Sequence, residues 1–358
     1  METLKDILAQ RIARSGPVSV ATYMAECLLH PKFGYYCTQE PFGAKGDFTT
    51  GPEISQMFGE LLGLALAQSW LDQGQPAPFL LAELGPGRGT LMADILRATR
   101  VVPGFHKAAH IHLIEASPGL RARQKARLQS IECPAVNWHD SIGDLPELPL
   151  YLVANEFFDA LPIRQFIRTG NGWCERHVGL RDDHLVFEAG TEKPVEALSF
   201  RLEDTRPGDM VETRPAATDV VREITARIAA RGGVAIITDY GDWRSLGDTL
   251  QAMKNHAHVP VLETPGQADL TAHVDFEALA KAAESGTSFT RLTPQGIFLE
   301  RLGITERARA LASQLREEAL ENHVLAHRRL THPEEMGTLF KAMAFHRTNT
   351  PLPPGFEK

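Results

Sequence analysis

Apolar positions along the chain change their period several times, and each change marks an element. Residues 4–14 put Leu4, Ile7, Leu8 and Ile12 on one face of a short amphipathic helix. A second helix is expected from Ser19 to Leu29, opened by Ser19 or Val20 and stopped before Pro31. The segment from His30 to Ser55 is rich in glycine, proline and aromatic residues. Long segments of this kind are functional or disordered, and Phe33, Tyr35 and Tyr36 argue for order. From Glu53 the pattern is helical again, with Ile54, Phe58, Leu61, Leu62, Ala65 and Leu66 on one buried face. Asp72 to Pro78 is a turn-rich linker.

Short apolar runs then alternate with helical patterns. Phe79 to Leu84, Ile111 to Glu115, Ala135 to Trp138, Leu150 to Ala154 and Val234 to Ile237 read as strands. Ser117 and Pro118 open one intervening helix as cap and first-turn proline, and Val220 to Ala230 is another. This rhythm predicts an α/β fold with right-handed crossovers and a parallel sheet. Ile163 to Arg168, Trp173 to Leu180 and His184 to Glu188 interrupt it as a small antiparallel meander. Ser288 to Leu292 and a segment near Ile297 to Leu302 are expected to complete the sheet edge. Ala308 to Leu330 is expected to be a solvated helix. It carries His323 and His327 at helical spacing, but no third ligand is evident and no metal is expected.

The central run ends in Glu83 and is followed by Gly85-Pro86-Gly87-Arg88-Gly89, Thr90 and a helical pattern. A turn of alternating glycines lets backbone approach a ligand with no side chain between. A dinucleotide fingerprint would read G-x-G-x-x-G. The spacing here is G-x-G-x-G with an acid two residues upstream, which resembles the first motif of S-adenosylmethionine-dependent methyltransferases. Glu83 either orders the turn or helps bind the amino group of that cofactor's methionine part. The competing reading is a glycine turn that merely caps a helix.

In an open parallel sheet, ligands sit outside the carboxyl ends of the strands. Four such ends carry polar groups: Glu83 with the glycine turn, Glu115, Asp140, and Asn155-Glu156. A carboxylate at Glu115 can accept two ribose hydroxyls side by side, a contact worth about 1.5–3 kcal/mol. Asp140 can accept from an adenine amino group. The alternatives are that Glu115 caps the next helix and that Asp140 is an ordinary turn residue. Within Asn155 to Pro162, Glu156 and Asp159 place two carboxylates in one loop, and Phe157 and Phe158 can wall a pocket or fill the core. Asp47 and Glu53 add further acids. Carboxylates suit a guanidinium, whose planar fork they pair bidentately. They can orient it and accept the proton released when a nitrogen is alkylated.

Bulk properties narrow the classes. The chain of 358 residues is 43% hydrophobic with a formal net charge of -8, which argues against a nucleic-acid-coating protein and mildly favours a cationic ligand. Cys27, Cys37, Cys133 and Cys174 form no C-x-x-C pair and read as reduced thiols. No apolar run approaches the roughly 20 residues of a membrane span. The first residues lack a signal-peptide core or an acid-poor transit pattern, so a cytoplasmic location is expected. Oligomeric state is left open.

Six stretches then carry a resemblance: SVATYMAECLLHPKFGYY, GDFTTGPEISQMFGELLG, LAELGPGRGTLMADILR, HLIEASPGLRARQ, NEFFDALPIRQF and GQADLTAHVDF. Across most of its length the chain resembles the MidA-type (DUF185) methyltransferases, which include a mitochondrial complex I assembly factor that methylates arginine. The resemblance implies a Rossmann-like class I sheet with an N-terminal helical extension and a small antiparallel β insertion. The expected division is 1–74 as helical extension and cover, 75–305 as core with the insertion at about 163–215, and 306–358 as C-terminal helical segment, or one integral domain. It implies cofactor binding at Glu83, Gly85, Pro86, Gly87, Gly89, Glu115 and Asp140, with Asp47, Thr49, Thr50 and Glu53 closing over it. It places Asn155, Glu156 and Asp159 at the acceptor pocket, with Phe157, Phe158, His273 and Asp275 as further substrate contacts. The expected function is protein arginine N-methylation, on a complex I subunit or another protein, in a bacterial member of the family. A non-catalytic cofactor-binding assembly factor and a small-molecule methyltransferase are the alternatives.

Overall fold

The computed structural model describes residues 3–38, 49–131 and 134–357. They divide into two compact units that interleave along the chain. The first comprises Met1–Phe48, Asp159–Ala217 and Asp242–Asp275, the second Thr49–Phe158, Thr218–Gly241 and Phe276–Lys358.

The second unit is built on a mixed sheet. The strands on its main path, numbered along the chain, are β1 (Phe79–Leu84), β2 (Ala109–Ile114), β3 (Val136–His139), β4 (Leu150–Asn155), β5 (Gly233–Asp242), β6 (Thr287–Phe289) and β7 (Phe340–Arg347). They lie in the order β6-β7-β5-β4-β1-β2-β3. β1 pairs in parallel with β2 and β4, and β4 with β5, whereas β7 runs antiparallel to both β5 and β6. Every residue of β1 and β4 is buried, which explains the apolar runs Phe79 to Ala82 and Leu150 to Ala154. The order turns back on either side of β1, so polar residues following β1, β2, β3 and β4 collect at one end of the sheet.

The helix Gln56–Asp72 packs against the helix Thr90–Thr99. Gly59 and Gly63 permit this approach, since a Cβ at Gly63 would stand 2.9 Å from the Ile95 Cα. Glu60, buried on that helix, is held by Arg97 at 3.1 Å and Arg307 at 2.8 Å. Beneath them Trp70, Phe79, Phe105 and Tyr151 form a fully packed aromatic cluster.

Three expectations are corrected here. The helix entering β1 starts at Gln56, not at Glu53, because Ser55 is extended and its hydroxyl caps Met57 N; Gly51–Ile54 is a separate turn. The segment near Ile297 to Leu302 is not a sheet edge but belongs mainly to the helix Gln295–Arg301, with Gln295, Gly296, Phe298 and Leu299 inward. The edge strand is β6, which overlaps the expected Ser288 to Leu292 segment; β7, which joins it to β5, is the strand the sequence did not reveal. Ala308 to Leu330 is two helices, Ile304–Ala312 and Glu317–Thr331. Among the described residues no helix is long and apolar enough to cross a membrane, and no group of acids, histidines and cysteines could hold a metal ion.

The first unit carries the helices Leu4–Ser15, opened by a Thr3–Asp6 capping box, and Val20–Leu29, capped by Ser19. Its meander is present: Trp173–Arg181 pairs antiparallel with Arg164–Arg168 and His184–Lys193, and Arg164–Arg168 with Met210–Thr213. Leu4, Leu8, Ile12, Tyr23 and Met24 fill the core beside Val178 and Leu270.

Candidate active site

At the carboxyl end of β1 the chain turns through Gly85, Gly87 and Gly89, all at positive φ (60°, 51° and 77°). Only glycine takes such values without strain. A Cβ on Gly85 would also stand 2.9 Å from Phe157 Cδ2. Phe157 therefore lies on the turn, while Phe158 is wholly buried in the core. The Gly85 N–H donates to the Ile114 carbonyl at 3.1 Å, and the Gly89 N–H to the Pro86 carbonyl at 2.7 Å.

Two acids flank the turn. Glu83 is buried, and among the described residues one of its carboxylate oxygens, Oε2, has no partner. Burial pushes its carboxyl up to about 8, against a hydrogen bond from the Met92 backbone and with help from the negative charges of Glu115 and Asp94. Glu115 follows β2. Its Oε1 accepts from Ser117 N at 2.8 Å and its Oε2 from Gln124 Nε2 at 3.1 Å. Burial raises its pKa against those hydrogen bonds.

Gln124 was not foreseen. Fully buried, it also donates to the Gly87 carbonyl at 2.9 Å and accepts from Trp138 Nε1 at 2.9 Å. It thereby ties the glycine turn to Glu115 and to β3. Arg121, one helical turn earlier, binds the Glu115 carbonyl at 2.6 Å and Asp140 Oδ1 at 2.5 Å. The Asp140 side chain is largely exposed. Behind it His139 Nε2 meets His112 Nδ1 at 2.8 Å in a stacked pair. Burial, then the neighbouring histidines, lowers His112 to about 4.

The loop after β4 is equally constrained. Glu156 sits at φ 50°, an uncommon conformation for a residue other than glycine. Its Oε1 accepts from Gly51 N and from Asn155 Nδ2, both at 3.0 Å. Asn155 Oδ1 accepts from Thr238 Oγ1 at 2.7 Å, and buried Asp239 accepts the Phe158 N–H at 3.0 Å. Thr50 precedes the Gly51–Ile54 turn without capping it through its side chain, and Thr49 beside it is half-buried. Glu53 accepts from Thr90 Oγ1 and from Arg88 at 3.4 Å, so it meets the glycine turn directly. Asp47 lies outside the described residues.

Asp159, His273 and Asp275 belong to the first unit. Arg214, also unforeseen, gathers the first two by their backbones: its guanidinium donates to the carbonyls of Leu161, Ala272, His273 and Asp159. Asp159 Oδ1 accepts from Ala160 N, the His273 N–H goes to Thr249 Oγ1, and Asp275 accepts from Ser245 N.

Comparison with known proteins gives three concordant findings. Residues 61–295 match a family model described as S-adenosyl-L-methionine-dependent methyltransferase. The protein arginine methyltransferase NDUFAF7, mitochondrial, of Mus musculus is 38% identical over 94% of this chain and 83% of its own. The Homo sapiens protein of that name is 36% identical over 94% and 82%. A COG1565 superfamily member from Burkholderia thailandensis, solved bound to S-adenosyl-homocysteine, superposes with a TM-score of 0.82 at 30% identity, covering 99% of this chain and 92% of that one. The mitochondrial relatives overturn the cytoplasmic expectation.

Proposed function

Since the chain belongs to the MidA-type S-adenosyl-L-methionine-dependent methyltransferases, we propose that it methylates an arginine nitrogen of a protein substrate. The carrying observation is the arginine-methyltransferase name shared by relatives that match nearly the whole chain. A subunit of the complex I type is the first candidate substrate, on the family resemblance alone.

The residues of the second unit fit the cofactor. The glycine turn leaves bare backbone, Glu83 holds a buried oxygen unpartnered among the described residues, and Glu115 is preset by Ser117 and Gln124. In this reading Glu83 takes the cofactor's ammonium, Glu115 its ribose hydroxyls and Asp140 the adenine edge. The cofactor supplies an electrophilic methyl on a sulfonium and leaves as a neutral thioether. One N–C bond forms, one C–S bond breaks, and the guanidinium nitrogen loses a proton. Removing that proton beforehand at pH 7 would cost upwards of about 7 kcal/mol. A carboxylate that takes it as the bond forms avoids that cost. Glu156 is proposed for orienting the guanidinium, with Asn155 positioning it. Asp159 is proposed as a second carboxylate of the reaction, and Phe157, His273 and Asp275 as substrate contacts.

The test is transfer of labelled methyl to protein, followed by amino-acid analysis. Methylarginine is expected. A labelled metabolite, or binding of the cofactor without any transfer, would contradict the proposal. Asp159→Ala should lower turnover with cofactor affinity kept; unchanged turnover would remove Asp159 from the reaction.

A further inference from the structure

The helix Glu317–Thr331 has two faces of different character. Inward, Leu330 is buried, His323 Nε2 meets the Ala308 carbonyl at 3.0 Å, and His327 Nε2 meets Thr305 Oγ1 at 3.0 Å. Those bonds use both histidines that could have been read as a metal pair. Outward stand Glu321, Val324, Leu325 and Arg328, all exposed. They share one face by the i, i+3, i+4, i+7 rule. Val324 is 56% and Leu325 60% exposed, and Leu320 flanks them at 36%. Two large aliphatic side chains at the centre of a solvent face gain nothing there unless something covers them.

The charges say what covers them. The helix begins with Glu317, Glu318 and Glu321 and ends with Arg328 and Arg329. Turned end for end about the point between Val324 and Leu325, the sequence matches itself. Glu321 falls opposite Arg328, Val324 opposite Leu325, and Leu320 opposite the aliphatic stem of Arg329. An antiparallel pair of such helices is held by an apolar centre and two symmetric acid–base contacts, which is what a two-fold interface requires. A different partner would need the same acid, apolar, apolar, base order in reverse.

We propose that this face docks on the same face of a second copy of the chain, antiparallel across a two-fold axis. Arg328 Nε also holds Glu335 of its own chain at 2.9 Å, so its planar fork is already oriented for a second carboxylate. The inference is independent of the reaction proposed above.

Sedimentation velocity of the full chain over a concentration series tests it. The native chain dimerises; Glu321→Arg and Arg328→Glu each set like charges across the axis and weaken self-association by about tenfold or more. A one-to-one mixture of the two variants regains the dimer, because every cross-axis contact again joins an acid to a base. The double variant dimerises alone. Circular dichroism and the thermal midpoint confirm that Arg328→Glu, which loses its Glu335 pair, is folded; Glu321→Arg and Leu325→Asp read the interface without disturbing that pair. A native chain that stays monomeric at its highest soluble concentration overturns the proposal. So do single variants that dimerise like the native chain, or a mixture that stays monomeric.

Discussion

Glu83 and Glu212 are both buried glutamates, one in each unit, and they differ in how completely they are partnered. Glu212 Oε1 accepts from Gln165 Nε2 at 2.8 Å and Thr249 N at 3.0 Å, and its other oxygen takes the Thr249 hydroxyl. Glu83 leaves Oε2 with no partner among the described residues. Burial raises the pKa of both. A buried carboxylate with every site filled fastens its own fold, whereas one with an open site destabilises its fold and is ready for a cation. On this contrast we propose a structural role for Glu212 and a ligand-binding role for Glu83.

The most severe test is Gly85→Val. A branched side chain at positive φ, aimed at Phe157, should cut affinity for S-adenosylhomocysteine by about a hundredfold or more in calorimetry, and retained affinity would remove the turn from the site. The paired substitutions Glu212→Ala and Glu83→Gln should then separate cleanly. The first strands the Gln165 and Thr249 donors and should cost about 2–4 kcal/mol in urea unfolding, with cofactor affinity unchanged in whatever remains folded. The second should leave stability intact or raised and weaken cofactor binding by about tenfold to a hundredfold. Equal behaviour of the two would break the comparison.

A third test uses pH. Because the folded carboxyl of Glu83 is raised to about 8 from an ordinary 4.5, the folded state holds a proton that the unfolded state has lost between those values. That contribution to stability is full below about pH 4.5 and is lost as pH rises through about 8. Glu83→Gln should flatten this decline in chemical denaturation. At pH 7 a ligand ammonium would displace the proton, so binding should release one, visible as a buffer-dependent enthalpy. The smallest effect belongs to His112, lowered from 6.5 to about 4. There the unfolded state takes the proton first, so stability should fall as pH drops from about 6.5 to 4, and His112→Asn should lessen that fall.

The glycine turn and the strands bounding it were legible because their signals are local: an apolar run, three glycines, Ser117-Pro118 as a cap. β7 was not. FKAMAFHR is buried on both faces, so no alternation marks it, and its two alanines and its lysine are poor strand formers. Ile297-Phe298-Leu299 looked strand-like by residue type, yet its inward positions are helically spaced. The clamp at Gln124 joins a helix to two loops and a strand, which no local pattern states. It did leave one sign, a polar residue set between Leu120 and Leu128 on the buried stripe of its helix. Arg214 and the His112–His139 pair left none, since their partners come from distant parts of the chain.

The most direct measurement is a crystal structure of the chain with S-adenosylhomocysteine. The ligand is expected against Gly85 and Gly87, with its ammonium on Glu83 Oε2 and its ribose on Glu115. A turn closed by protein, or a ligand seated away from both carboxylates, would contradict it.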